Sequence, residues 1–141
     1  FKQKTAYEIY QCDWSSDVCS SDLVQTSDGS GVIKLQSNGT TTNALAWVNF
    51  NGTLTGTNSP RASYNVTSVT RNATGDYTVT FTNSLTDANY SATATNSGSG
   101  ATAEYSAGIL SMTSSAVRVY CFKSGVGAGD PTYFCVTVHG N

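Results

Sequence analysis

Acid–base chemistry needs carboxylates or imidazoles, and beyond Leu23 this 141-residue chain has few: Asp28, Asp76, Asp87, Glu104, Asp130 and the single histidine, His139. Cleaving a glycosidic bond needs two carboxyl groups held about 5–9.5 Å apart across the sugar linkage. No spacing here marks out such a pair, although one assembled between identical chains stays open. Asp76 and Asp87 stand beside turn residues, where a carboxylate ordinarily accepts backbone N–H bonds. The expectation is therefore a chain that is not an enzyme. Three copies of His139 on a threefold axis would suit a transition metal. No second His or Cys stands at ligand spacing from it, so an exposed terminal side chain is expected, with no metal and no cofactor.

Four cysteines, Cys12, Cys19, Cys121 and Cys135, are too few and too unevenly placed for a disulfide scaffold. Cys121 and Cys135 fall in the last two strand-like runs. If those runs pair, the thiols lie close, either as two buried small hydrophobes or as a disulfide. Five N-glycosylation patterns begin at Asn38, Asn51, Asn65, Asn72 and Asn89, as chance provides in a chain this rich in Asn, Thr and Ser. Trp47, Tyr64, Tyr105, Tyr120 and Tyr133 offer faces on which sugar rings stack. Trp47 and Tyr64 are expected to pack in the core instead. Tyr105 follows a Gly-rich loop beside Glu104 and is the more interesting candidate.

These groups must be held by a modest scaffold, since a single domain of this length buries about 65–70 % of its unfolded surface. Charged residues make up 11 % of the chain and the net charge is −2. The polar surface is consequently built of hydroxyls and amides, without the basic field that nucleic acid or anionic lipid requires. No apolar run approaches the length of a membrane span, so neither nucleic-acid binding nor membrane insertion is expected.

The elements expected to position the candidates are strands, with little or no helix, because no sustained 3.6-residue period occurs. Tyr77, Val79 and Phe81 alternate with Thr78, Thr80 and Thr82, which puts three large side chains inward and three hydroxyls outward. Tyr64–Arg71 and Asp76–Thr82 flank Asn72-Ala73-Thr74-Gly75 and predict a hairpin. Tyr64 and Val66 share a face that Val69 does not, which predicts a bulge near Thr67 or Ser68. Further strands are expected at Leu45–Phe50, Tyr90–Thr95 with Tyr90, Ala92 and Ala94 inward, Ala103–Tyr105, Ile109–Met112, Ala116–Phe122 and Tyr133–Val138. Between them lie loops at Thr53–Pro60, Asn96–Thr102 and Ser124–Pro131. Evenly spaced short strands of this kind suit a sandwich or a barrel, and an antiparallel β-sandwich is the fold expected.

Residues 1–23, FKQKTAYEIYQCDWSSDVCSSDL, hold two of the four cysteines, one of the two tryptophans and two of the four lysines. KQKTAYEI and DWSSDVCSSDL resemble the translation, in one frame, of a short-read sequencing adapter. On that likeness the leader is foreign, Cys12 and Cys19 carry no metal or redox meaning, and Val24 is expected to be an arbitrary point within a longer gene. The alternative is an amphipathic segment with Tyr7, Ile9 and Tyr10 clustered and Asp13 as a cap.

Within residues 46–141, AWVNFNGT, RASYNVTSVTRNATGDYTVTFT, DANYSAT and the closing DPTYFCVTVHGN resemble the C-terminal domain of bacteriophage tail fibre proteins. Residues 24–45, with Val32, Ile33 and Leu35 and then QSNGTTTN, look like the stalk that precedes it. The resemblance implies a homotrimeric fibre tip in the virion, attached to a host surface glycan or outer-membrane component. Loops are expected to do the recognising, through Thr57, Asn58, Asn96, Ser97, Glu104, Tyr105, Asp130 and Tyr133. A structural trimerisation module of a fibre or baseplate, or a bacterial adhesin domain, are the alternatives.

Overall fold

The computed structural model describes residues 36–37, 40–41, 43–97, 105–123 and 125–140. The leader, most of the stalk-like segment and Glu104 lie outside these residues, as does the strand expected at Ala103–Tyr105 apart from Tyr105 itself. The described residues form strands and turns with no helix. Two two-residue strands, β1 (Gln36–Ser37) and β2 (Thr40–Thr41), pair with each other. Ten more follow: β3 (Ala44–Phe50), β4 (Gly56–Asn58), β5 (Ala62–Tyr64), β6 (Val66–Ala73), β7 (Asp76–Phe81), β8 (Ser91–Asn96), β9 (Ser106–Thr113), β10 (Ala116–Lys123), β11 (Gly127–Ala128) and β12 (Phe134–His139).

These ten make two antiparallel sheets packed as a sandwich. One runs β5-β3-β12-β8; the other runs β11-β10-β7-β6-β4, with β9 on the far side of β10. Strand alternation supplies the facing layers. Tyr77, Val79 and Phe81 of β7 and Val117, Val119 and Cys121 of β10 meet Ala46, Val48 and Phe50 of β3 and Phe134, Val136 and Val138 of β12, all buried. Rings anchor both ends of this core. Phe50, Tyr77 and Phe134 form a triad with centroids 5.1–5.4 Å apart, and Phe81 meets Tyr90 edge-on at 5.9 Å.

Several expected strands change in form. The run from Tyr64 to Arg71 is broken at Asn65, whose φ of 54° lies in the left-handed region. There the chain leaves the four-stranded sheet, where Tyr64 pairs with Trp47, and enters the other, where Val66 pairs with Phe81. Asn65 holds this corner: its side-chain amide donates to the carbonyls of Leu45 (3.2 Å) and Asn83 (3.1 Å), and its Oδ1 accepts from Asn83 N–H (2.8 Å). This uses the capacity of a nearly buried amide and leaves the Asn65 glycosylation pattern inaccessible. The bulge is present, with Thr67 skipped between the Val66 and Ser68 pairings. Ile109–Met112 belongs to the longer strand β9. Thr53–Pro60 is not wholly loop, since β4 adds an edge to β6, and Ser124–Pro131 contains β11.

Trp47 and Tyr64 do not pack in the core. Ala46, Val48 and Phe50 take the inward positions of β3, which turns Trp47 outward, 41 % exposed, with Tyr64 half-buried opposite it. Cys121 and Cys135 are also separated, because β10 and β12 belong to different sheets. Cys121 faces the core and Cys135 alternates with the buried Phe134 and Val136 on the outer side of its own sheet; both are free thiols. Burial pushes the Cys121 thiol up to about 11, with the Asp130 charge adding to the effect.

Candidate functional site: the loop end of the sandwich

Antiparallel pairing brings the three long connections to one end. Phe134 at the start of β12 pairs with Phe50 at the end of β3 and with Asn96 at the end of β8. Phe122, near the end of β10, pairs with Ser106 at the start of β9 and with Ala128. The segment from 125 to 133 is the hub. Its Pro131 carbonyl accepts from Gly52 N–H at 3.0 Å. Its Tyr133 exchanges bonds with Ser97, whose N–H donates to Tyr133 O (2.9 Å) while Tyr133 N–H donates to Ser97 Oγ (3.1 Å). The ring of Tyr105 covers Gly129, where a Cβ would come within 2.3 Å of Tyr105 Cε1, so only glycine admits that ring.

Asp130 locks the hub to the β6–β7 hairpin. Arg71 grips both carboxylate oxygens, Nε to Oδ1 at 3.0 Å and Nη2 to Oδ2. Oδ1 also accepts from Gly75 N–H (2.8 Å) and the Tyr77 hydroxyl (2.6 Å). Burial works to raise the Asp130 pKa, but the bonds from Arg71, Tyr77 and Gly75 outweigh it and hold the carboxyl below its ordinary value. Burial and the adjacent carboxylate in turn push the Tyr77 phenol far up. Such an acid is a fixed anion that shapes a loop, and it has no proton to donate near neutral pH.

Arg61 is the cation at the rim. Its Nη1 donates to the carbonyls of Phe50 (3.0 Å) and Thr132 (2.7 Å), and its guanidinium lies 4.4 Å from the centroid of the half-exposed Tyr133 ring. The exposed face of that ring is thereby set at the surface by a cation–π contact. Asn96 donates to Tyr105 O at 3.2 Å, while its buried Oδ1 has no hydrogen-bond partner among the described residues. A shallow depression lies beside β4, lined by residues including Leu54, Asn58, Arg71 and Tyr77.

The structure thus gathers Asn96, Ser97, Tyr105, Asp130 and Tyr133 around one hub. Thr57 and Asn58 lie on β4 at its flank: Thr57 Oγ1 pairs with Thr70 Oγ1 (2.9 Å), and Asn58 Nδ2 donates to Thr55 O (3.0 Å). Glu104 lies outside the described residues. Sequence reading missed Arg61 and Arg71, which position the hub. Only their place beside turn-rich segments hinted at them.

Of the turn acids, Asp87 accepts Asn89 N–H at 2.6 Å as expected. Asp76 differs, accepting side-chain bonds from Arg118 and Asn72, and the Arg118 bond is the chief cause of its lowered pKa. Among the described residues no group of three or more His, Cys, Asp or Glu could hold a metal ion, and no helix is long and apolar enough to cross a membrane.

The fold and the loop end define an antiparallel β-sandwich with a built surface of hydroxyl, amide and aromatic groups. No family model, curated protein or solved structure matches this chain.

Proposed function

We propose that this chain is the distal domain of a bacteriophage tail fibre, attaching the virion to a host-cell surface glycan or outer-membrane component as a homotrimer, without cleaving its receptor. The observation that carries the reading is the convergence of three connections on one hub, presenting Tyr133, Ser97, Asn96 and Tyr105 from a rigid scaffold. Neutral donors, acceptors and an exposed ring are the chemistry of carbohydrate contact, and loops on a fixed sandwich can vary without unfolding it. A non-enzymatic role is supported by Asp76 and Asp130, both ion-paired and both lowered in pKa, where a general acid needs the opposite shift.

Assembly is supported by Leu110, Tyr120, Phe122 and Val126, each 36–65 % exposed on or beside β9 and β10. Exposed apolar residues gathered along two neighbouring strands are compatible with a contact surface. The same residues favour a second reading, a trimerisation module that meets no receptor. Adhesion of the chain to host cells, compared with Tyr133→Ala and Ser97→Ala, separates the two. Loss of adhesion in variants that keep their oligomeric mass fits attachment; no adhesion by any form leaves the trimerisation module.

A further inference from the structure

A second surface, remote from the assembly residues, has the makings of a binding site. On the outer face of the four-stranded sheet the pairings align one continuous row across all four strands: Tyr64 of β5 opposite Trp47 of β3, Trp47 opposite Thr137 of β12, and Thr137 opposite Thr93 of β8. Directly opposed side chains share a face, and Trp47 at 41 % exposure fixes this one as the solvent side. Asn49 lies in the next row, and His139 at the margin is the sole titratable base among the outward positions of these strands; no acid stands there.

We infer that this face is a second carbohydrate site, taking a linear neutral oligosaccharide laid across the strands with one ring stacked on Trp47. Three features select that ligand. Successive members of the row are separated by the interstrand spacing of about 4.8 Å, comparable with one pyranose unit, so adjacent sugars meet adjacent side chains. Trp47 and Tyr64 stand at one end of the row and two threonines at the other, residue types that suit the C–H faces and hydroxyl edges of a sugar chain. No acid stands among the outward positions of these strands, and the cation beside them, Arg61, is engaged by Asn49 Oδ1 (3.5 Å), two backbone carbonyls and the Tyr133 ring. This suits a neutral partner, whereas a copy of this chain would be drawn to the apolar residues of β9 and β10 on the other sheet. The inference goes beyond attachment at the loop end and holds whether or not that end touches a host.

The test is titration of the full chain with neutral oligosaccharides of four to six units, built from glucose, galactose or N-acetylglucosamine, by calorimetry and by fluorescence. Because Trp14 and Trp47 are the only tryptophans, a Trp14→Phe background reports on Trp47 alone. Binding with a change in Trp47 emission is expected, weakened about tenfold by Trp47→Ala, largely kept by Trp47→Phe and abolished by Thr93→Glu. Trp47 is exposed, so these variants should keep the parent unfolding midpoint. Binding lost in Tyr133→Ala but not in Trp47→Ala would move the sugar to the loop end and overturn the inference. So would silence of every oligosaccharide, or a Trp47→Ala variant that merely lowers the oligomeric mass. Cell adhesion measured on the same variants reports separately on the loop end.

Discussion

Asn65 and Asp130 each fix a corner of this sandwich through several hydrogen bonds. Asn65→Ala removes three bonds from a nearly buried position and leaves a β-carbon residue in the left-handed region, so a loss of about 2–4 kcal/mol is expected in urea unfolding. Asn65→Gly relieves the backbone but not the bonds, and should recover only about 1 kcal/mol of that loss. Asp130→Asn keeps the shape but cannot hold Arg71 as an anion, and should cost about 1–3 kcal/mol at neutral pH. The sign with pH follows from the lowered folded-state value. The carboxylate's contribution is fully present above its unfolded pKa of about 3.9 and disappears as pH falls through the lower folded one. Wild type and Asp130→Asn should therefore converge in stability in strong acid, checked by urea midpoints between pH 7 and the acid limit.

At the scale of elements, the tight β6–β7 hairpin decides whether the loop hub has anything to dock against. Its turn ends at Gly75, which has φ of 69° and whose N–H holds Asp130. A Cβ there would lie 2.4 Å from Cys121 O, backbone that cannot swing aside. Gly75→Ala combines left-handed strain with that clash and should cost about 2–4 kcal/mol. Amides at the loop end, including Gly129 and Tyr133, should gain exchange rate more than those of β12, because the hairpin contact is local to the hub. Uniform acceleration across both sheets would count against this division.

At the scale of the whole molecule, the placement of β10 and β12 in different sheets keeps Cys121 and Cys135 apart. With Cys121 turned inward and Cys135 outward, the thermal midpoint of a Cys12→Ser/Cys19→Ser variant should be unchanged by a thiol reductant, and a measured drop would show that Cys121 and Cys135 had been joined. Assembly is expected to respond to the other sheet. On the proposed homotrimer with β9 and β10 as its contact, Phe122→Ser should lower the light-scattering mass toward a monomer while leaving the far-ultraviolet circular dichroism intact. A monomer for the unsubstituted chain would remove the fibre-tip reading at once.

Much of the scaffold was readable without coordinates, because a period of two is a local property. Tyr77, Val79 and Phe81 declare an inward face by alternation alone, and the mismatch between Val66 and Val69 points to a bulge near Thr67 or Ser68, which the pairing places at Thr67. The low charge and abundance of hydroxyl side chains likewise bound the surface chemistry. Alternation cannot say which neighbours a strand will have. In Ala44–Phe50 it leaves Leu45, Trp47 and Asn49 competing with Ala46, Val48 and Phe50 for the interior. Pairing with β12 and packing against β7 settled this, placing Phe50 among Tyr77 and Phe134 and turning Trp47 to solvent, while Leu45 is buried as well as Ala46, beside the register shift at Val138 and His139 that alternation alone does not foresee. Asn65 as a corner and Asp130 as an acceptor of four donors were unreadable for the same reason. Their partners are as many as 59 residues away in sequence, and only the folded chain brings such groups within hydrogen-bond distance.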